Sequence, residues 1–206
     1  MSLPLLGAGA TKGGVTYENF TTFTEVDPNS RFAVAAHQID VDGLTRDEDA
    51  YVYGDYGVAH FGATFMHDFD FQATPTASLY GICGVYGIGN TITHIDESGV
   101  ENLAVFVEHY HERVSFLNLE NDNRDAEEYS WVTGTWYYGR VLRTSETTVQ
   151  LRVYTDVERT VLAYTLSQTI ASGRRYRYLY GVQSYNSEQA ERDIYAKVRN
   201  LNIHEP

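Results

Sequence analysis

Two alternating runs of apolar and polar residues lie at residues 135–143 and 148–156, on either side of a short polar connection. In the second run Val149, Leu151 and Val153 alternate with Gln150, Arg152 and Tyr154, which predicts a strand with one buried face. Both runs are rich in β-branched and aromatic residues, as β-hairpins are. The pattern therefore predicts an antiparallel hairpin in the middle of the chain.

Arg140 decides which face of the first strand of this hairpin looks outward. A guanidinium buried without a partner is costly, so the face that carries it is expected to be exposed. Tyr137, Gly139 and Val141 then face the core. The predicted exposed surface consists of six residues: Trp136, Tyr138, Arg140, Gln150, Arg152 and Tyr154.

The same alternation recurs along most of the chain. It predicts about a dozen short strands at turn intervals of roughly 8–12 residues, which is typical of an all-β sandwich of two antiparallel sheets. Among them are a strand at 19–26, a strand at 31–41 with a bulge near His37 or Gln38, and a strand at 64–72 with Phe65, His67, Phe69 and Phe71 on one face. Residues 120–128 are expected to form an acidic loop, and only the stretch around 187–194 suggests a helix.

The length and charge of the chain limit the classes of protein and partner to consider. A chain of 206 residues can bury one sizeable core, so we expect a single domain over residues 15–206. With 15 basic and 28 acidic residues the formal net charge is −13, a field that repels phosphate backbones and disfavours nucleic acid as a partner. No run approaches the roughly 20 apolar residues of a membrane span. The single cysteine, Cys83, is expected to be a small buried apolar residue.

Residues 1–14 are rich in Gly and Ala and lack periodicity, so they are expected to form a flexible arm. The alternative is an arm whose leucines dock on a neighbouring subunit. The apolar piece near the start is too short for a signal core and has no basic residues before it. We therefore expect a protein made in the cytoplasm without a signal peptide, which then reaches a virion or another extracellular surface.

Four segments together resemble a known fold family. They are residues 23–30 (Phe-Thr-Glu-Val-Asp-Pro-Asn-Ser), residues 43–53, the central hairpin, and residues 178–186 (Tyr-Leu-Tyr-Gly-Val-Gln-Ser-Tyr-Asn). They resemble the concanavalin A-like lectin/glucanase jelly rolls, and more narrowly a laminin-G-like branch found in bacteriophage and environmental sequences. The resemblance implies two curved antiparallel sheets, often with sugar bound at a concave face or rim. A fold alone does not assign a function.

Catalytic motifs of that family do not match this chain. Retaining glucanases place two carboxylates about 5–5.5 Å apart on a Glu-rich strand, whereas Asp68 and Asp70 share a predicted strand face without a Glu partner. The lyase relatives carry a late Tyr-x-Lys-x-Gly-x-Tyr segment, which residues 180–186 match only faintly and without the Lys. A lyase or glucanase is therefore the least favoured of the functions considered.

Metal sites are suggested at three places. Oxygen ligands at alternate positions, as in calcium loops, occur at Asn121, Asn123 and Asp125, although the loop lacks the usual Gly and final Glu. Asp47, Asp49 and Asp55 form a second weak calcium candidate. His109 and His111 have the two-residue spacing that zinc sites use on a strand. In each case a solvated, metal-free surface is the alternative, and no cofactor is required.

The exposed surface on the central hairpin is the main functional lead. Aromatic rings stack on the apolar side of a sugar, while Arg and Gln reach its hydroxyls or an acidic group. The alternative is that a loop or another subunit covers the rings. Three hypotheses follow: a non-catalytic subunit on the surface of a phage-like particle, with a homo-oligomer or particle assembly as partner; a free-standing polysaccharide-binding module, with a glycan as partner; and, less favoured, an enzyme.

Overall fold

The computed structural model of the protein describes residues 11–12, 15–74, 81–95, 97–108, 112–127, 132–186 and 193–204. Within those ranges two seven-stranded antiparallel sheets pack face to face, and a two-stranded pair lies near the start. The strands in chain order are β1 Thr11–Lys12, β2 Val15–Thr16, β3 Thr24–Val26, β4 Phe32–Ala35, β5 Gln38–Leu44, β6 Tyr51–Asp55, β7 Met66–Thr74, β8 Ile82–Gly89, β9 Asn102–Glu108, β10 Arg113–Asn118, β11 Asn123–Glu127, β12 Tyr137–Ser145, β13 Thr148–Tyr154, β14 Leu162–Thr169, β15 Tyr178–Ser184 and β16 Ile194–Ile203.

Sheet I has the strand order β11-β10-β9-β8-β15-β6-β3, and sheet II has the order β14-β13-β12-β7-β16-β5-β4. The predicted central hairpin is formed by β12 and β13 of sheet II. In that sheet β12 also pairs with β7 on its other side. The all-β sandwich predicted from the alternating pattern is thus the observed fold.

The core between the sheets is built from the inward positions of both. Phe69 and Phe71 of β7 and Leu151 of β13 are fully or almost fully buried, and they meet Val52 and Leu179 from sheet I. Cys83 is fully buried in the same cluster, and burial raises the pKa of its thiol to about 12, so it is the apolar filler that the sequence predicted.

Gly139 shows why one inward position of β12 has no side chain. The Phe69 ring lies directly over it, and a Cβ there would overlap that ring. Phe69 in turn stacks on Tyr86 at 5.0 Å between centroids, and the Tyr86 hydroxyl lies 2.8 Å from Nδ1 of His67. This column of rings joins β12, β7 and β8 across the core and contains one buried polar pair.

A second apolar cluster lies on the outer face of sheet I. The connection between β8 and β9 folds over this face, where Ile95 is 1 % exposed and packs on side chains of β9 and β10. The buried members of the cluster are Ile82, Ile95, Ala104, Phe106, Leu117 and Leu119. The outer face of sheet I is therefore partly closed by the chain itself.

Three predicted elements are corrected by the structure. The strand predicted at 19–26 begins instead with a 3-10 turn, Phe20–Thr22, because the Asn19 side chain accepts the Thr21 backbone N–H at 3.1 Å and caps it. The single bulged strand predicted at 31–41 is a hairpin, since Ala35 pairs with Gln38 across a two-residue turn. The phase shift in the sequence marks that turn rather than a bulge.

The acidic loop predicted at 120–128 contains a strand, β11, which pairs with β10 along its whole length. Charged side chains are common on edge strands, where they discourage pairing with other chains, so an acidic pattern does not exclude a strand. The stretch suggested as a helix lies mostly outside the described residues, and its last residue, Ile194, begins β16.

The predicted arm also lies largely outside the described residues. Of residues 1–14 the structure describes only Thr11–Lys12, which pairs with Val15–Thr16. In the described ranges the one helical segment has three residues, so no helix there could cross a membrane.

Candidate functional site

The outer face of the central hairpin carries the six residues predicted to form a surface. Tyr138 lies directly opposite Tyr154, and Arg140 directly opposite Arg152, in the pairing of β12 with β13. Gln150 is one pair further along on the same face, and Trp136 immediately precedes β12. The structure thus brings these side chains together; their role in binding a ligand stays a prediction.

Arg140 is held in place by a carboxylate of the neighbouring strand. Its Nε and Nη2 donate to the two oxygens of Asp68 at 2.7 and 2.8 Å, and the two residues are register partners in the pairing of β12 with β7. Burial alone would raise the pKa of Asp68, but hydrogen bonds from Arg140 and the charge of Arg159 outweigh it and lower the pKa. Arg140 therefore faces outward as predicted, but with a partner that the prediction lacked.

Asp70 anchors a second group of cations two residues further along β7. Its carboxylate accepts from Arg159 at 2.8 Å, from Asn200 at 2.7 Å and from Arg199 at 3.3 Å, and the residue is only 1 % exposed. Burying a carboxylate to this degree is costly unless such hydrogen-bond partners surround it.

Arg159 comes from the connection between β13 and β14, which folds back over the face. Asp156 fixes this connection by accepting the backbone N–H groups of Thr160 and Val161 at 3.0 and 2.6 Å. Arg159 adopts a φ of 56° and also donates to the Phe69 carbonyl at 3.2 Å. The connection thus places a third guanidinium beside Asp68 and Asp70.

Aromatic rings border these charges. The guanidinium of Arg199 lies 3.7 Å from the ring centroid of Trp136, and that of Arg159 lies 5.8 Å from the ring of Tyr138. Trp136 and Tyr138 are half-buried, whereas Tyr154 is only 7 % exposed. The prediction that Tyr154 is an exposed residue is therefore wrong, because it lies beside the folded-back connection and opposite Tyr138.

His204 completes the group, with Nε2 at 2.9 Å from Oδ2 of Asp68. We call the whole set the arginine face: Asp68, Asp70, Trp136, Tyr138, Arg140, Gln150, Arg152, Tyr154, Arg159, Arg199 and His204. Sequence reasoning placed Asp68 and Asp70 on one strand face but treated them only as a carboxylate pair. It missed Arg159, Arg199 and His204, which are far from Asp68 and Asp70 in the sequence but lie beside them in the fold.

The calcium candidate around Asp49 does not form a ligand set. Asp55 is bound bidentately by Arg177 at 2.7 and 2.6 Å, and hydrogen bonds from Arg177 hold the pKa of its carboxyl below the ordinary value. Asp49 accepts from Asn186 at 2.6 Å before β6 begins, whereas Asp55 ends that strand. Asp47 is exposed on the same turn as Asp49.

The second calcium candidate is also occupied by the protein's own groups. Asp125 accepts the backbone N–H of Ser167 at 2.7 Å, and the Asn121 side chain accepts the backbone N–H of Asn123 at 3.1 Å. Over the described ranges, no three acidic, His or Cys side chains are grouped to hold a metal ion. Calcium at these two places stays a prediction from the sequence. The zinc candidates His109 and His111 lie outside the described residues.

A second aromatic surface, missed by the sequence analysis, lies on the outer face of sheet I. Tyr53 meets Tyr178 edge-to-face at 5.7 Å, and Tyr51 meets Tyr180 at 6.4 Å. Tyr180 is 1 % exposed and donates its hydroxyl to the Thr91 carbonyl at 2.6 Å. We call Tyr51, Tyr53, Tyr178 and Tyr180 the tyrosine face. The alternation of Tyr51 with Val52 and Tyr53 was the available signal.

Comparison with known proteins supports the fold and only the fold. No protein-family model and no curated protein matches the chain. Among solved structures, the basic winged bean lectin with Tn-antigen is similar, with a TM-score of 0.61, 8% identity, and coverage of 92% of this chain and 94% of that one. Arcelin-5, a lectin-like defence protein from Phaseolus vulgaris, has a TM-score of 0.53, 11% identity, and coverage of 95% and 94%.

The carbohydrate-binding module CBM66 from Bacillus subtilis has a TM-score of 0.51 and 13% identity, and the match covers 92% of this chain and 97% of that one. Identities this low establish a shared architecture rather than a shared activity. The phage-related branch suggested by the sequence stays a prediction. The two antiparallel sheets, their strand pairing and these neighbours show that the chain has the concanavalin A-like jelly-roll fold.

Proposed function

We propose that this protein is a non-catalytic carbohydrate-binding protein that uses the arginine face. The observation that carries the proposal is the placement of Trp136 and Tyr138 beside guanidinium groups fixed by the buried carboxylates of Asp68 and Asp70. Rings of this kind stack on the apolar side of a sugar, and fixed donors reach its hydroxyl groups.

The neighbours in fold support this proposal. One is a lectin with Tn-antigen and another is a carbohydrate-binding module. Because fold does not determine function, this support depends on the surface described above.

The electrostatics of the face argue against glycoside hydrolysis. A glycosidase needs one carboxylic acid that keeps its proton, and so has a raised pKa. Asp68 has a lowered pKa because its hydrogen bonds and charged neighbours outweigh burial, and Asp70 is bonded to Arg159, Arg199 and Asn200. Asp68 is therefore poorly suited to donate a proton to a leaving group, and the oxygens of Asp70 are taken up by the protein's own donors.

A glycan array tests the proposal, with wild type, Trp136→Ala and Tyr51→Ala. Tyr51 is a half-buried ring on the opposite side of the molecule, so it is a matched control. We expect wild type and Tyr51→Ala to bind the same glycans, and Trp136→Ala to bind them about tenfold more weakly or not at all, because a stacking ring is lost. Absence of binding to every glycan, or unchanged binding by Trp136→Ala, would contradict the proposal.

The hypothesis of a particle-surface subunit, with the extracellular location and the oligomer that it implies, stays a prediction from sequence. Most of the arm that would make such contacts lies outside the described residues. Light scattering after size-exclusion chromatography tests it: a subunit of an assembly should oligomerise, and deletion of residues 2–14 should weaken the oligomer. A monomer that is unchanged by the deletion would remove this hypothesis.

A further inference from the structure

The arginine face carries more positive than negative charge. Two carboxylates, Asp68 and Asp70, lie among the guanidinium groups of Arg140, Arg159 and Arg199, and each of these three makes an ion pair with one of them. Lys197, two residues before Arg199 on β16, is paired with Asp40 at 3.3 Å and so adds no net charge. Among the five residues of these ion pairs, three positive charges stand beside two negative ones, on a chain whose net charge is −13.

Arg152 adds a further positive charge. It is half-buried and lies directly opposite Arg140 across β12 and β13. Two like charges at directly opposed positions destabilise a sheet. Arg140 is neutralised by both oxygens of Asp68, whereas the hydrogen bond of Arg152 goes to the neutral Oε1 of Gln150 at 3.1 Å. Among described residues, no carboxylate lies within ion-pair distance of Arg152.

We propose that Arg152, next to Arg140, binds an anionic group on the polysaccharide, either a carboxylate or a sulfate ester. This inference rests on the proposed function, because it names the class of glycan that the same face would take. Such a group would supply the charge partner that Arg152 lacks and would relieve the opposition of two cations. Planar guanidinium groups bind carboxylate and sulfate oxygens through paired, charge-assisted hydrogen bonds.

Fixed geometry supports this assignment. Arg140 cannot rotate freely, because Asp68 is in turn bonded to His204 and lies 3.6 Å from Arg159. A rigid guanidinium beside one that has no ionic partner in the described part of the chain is a preorganised arrangement, which lowers the cost of binding. The half-buried ring of Tyr138 lies two residues before Arg140 on the same strand, where the sugar that bears the anionic group would rest.

Titration calorimetry with matched ligands tests the inference. Oligogalacturonate and its methyl ester have the same backbone and differ in charge, and a sulfated galactan with its desulfated form provides the second pair. We expect wild type to bind one charged member about tenfold or more tightly than its neutral partner, with a preference that weakens as salt is raised. Preference within the first pair assigns a carboxylate, and preference within the second assigns a sulfate.

Variants then locate the anionic group. Arg152→Gln should bring the ratio of charged to neutral affinity close to one, and Arg177→Gln, which removes an equal charge on the opposite side of the molecule, should leave it unchanged. Arg177 is paired with Asp55 and is not part of the arginine face. Equal affinity of wild type for charged and neutral members, or an unchanged ratio in Arg152→Gln, would overturn the inference.

Carbohydrate binding and the preference for an anionic group would be contradicted by different results. If neutral glycans bind, Trp136→Ala weakens them and charge has no effect, then carbohydrate binding stands and the anionic ligand is rejected. If no glycan of either kind binds, the proposed function itself is rejected.

Discussion

The outer faces of the two sheets are closed by different kinds of interaction. On sheet I the connection between β8 and β9 packs Ile95 into a second apolar cluster, and the tyrosine face beside it is held by ring contacts. On sheet II the connection between β13 and β14 contributes Arg159, and this face is held by ion pairs to buried carboxylates. The β8–β9 connection adds buried apolar surface to sheet I, and the β13–β14 connection adds a charged side chain to the outer face of sheet II.

This difference indicates which face is prepared for a ligand. An apolar cluster covered by its own chain has already been removed from water, so little is gained by covering it again. A face of fixed cations gains directly from an anionic ligand when one guanidinium, that of Arg152, has no ionic partner among the residues that the structure describes.

Acid should destabilise the protein first through His67, on the core side of β7. Burial, with a smaller contribution from His204, lowers the pKa of His67 from 6.5 to about 3. Between these pH values the unfolded chain therefore binds more protons than the folded protein. The free energy of unfolding is highest above pH 6.5 and falls as the pH drops toward 3. The full shift corresponds to about 4–5 kcal/mol.

Urea denaturation at a series of pH values measures this loss. His67→Gln, which keeps a side chain able to hydrogen-bond the Tyr86 hydroxyl, should remove most of the pH dependence in that window. A further loss from Asp68, whose pKa is lowered, should remain below its ordinary value of 3.8. A His67→Gln variant with the same acid profile as wild type would show that His67 is not the group that titrates.

Removal of a carboxylate should affect the two faces very differently. Asp68→Ala leaves Arg140 without its bidentate partner in a half-buried position, and should cost about 3–5 kcal/mol of unfolding free energy. Asp55→Ala breaks an equally short bidentate pair with Arg177, but both of those side chains are well exposed, so it should cost about 1 kcal/mol or less. Equal costs would mean that burial does not distinguish the two pairs.

The closure of sheet I by its own chain can be tested with two isoleucines of one connection. Ile95→Ala removes a fully buried side chain and should cost about 2–4 kcal/mol. Ile92 lies three residues earlier and is 37 % exposed, so Ile92→Ala should change stability by less than about 0.5 kcal/mol. Thermal or urea unfolding of the pair measures both, and a small effect of Ile95→Ala would mean that the connection is not packed on the sheet.

The smallest expected effect is that of Arg152→Gln on the free protein. Because Arg152 opposes Arg140 and has no carboxylate partner among the described residues, its loss should leave stability unchanged or raise it by a few tenths of a kcal/mol. Urea denaturation without ligand measures this change. A loss of more than about 1 kcal/mol of unfolding free energy would show that Arg152 stabilises the fold and is not kept for binding a ligand.

Alternation along the chain was sufficient to predict the sandwich, the central hairpin and the division of the β7 side chains between two faces. It was sufficient because register in a sheet with one buried face is set by local period-two patterning. It failed at residues 19–22, where the Asn19 side chain caps a 3-10 turn, and at 36–37, where a phase shift marks a hairpin turn. Local side-chain hydrogen bonds and tight turns change the pattern without changing the composition.

The candidate site was predictable only in part. The residues of β12 and β13 follow from their alternation, but the partners of Arg140 and the cations around Asp70 come from 70 or more positions away in the sequence. Arg159 lies in a connection with no strand pattern, so nothing local indicated that it folds back over the sheet. Such contacts are created by sheet order, which a single sequence does not specify.

The central claim is that the arginine face, rather than the tyrosine face, takes the ligand. Side-chain N–H signals in a nuclear magnetic resonance titration with oligogalacturonate and with sulfated galactan test it most directly. The chain has two tryptophans, so Trp136→Phe assigns the indole signal of Trp136. We predict that the signals of Trp136, Arg140 and Arg152 shift on binding and that of Arg177 does not. Shifts confined to Arg177 and its surroundings would contradict the claim.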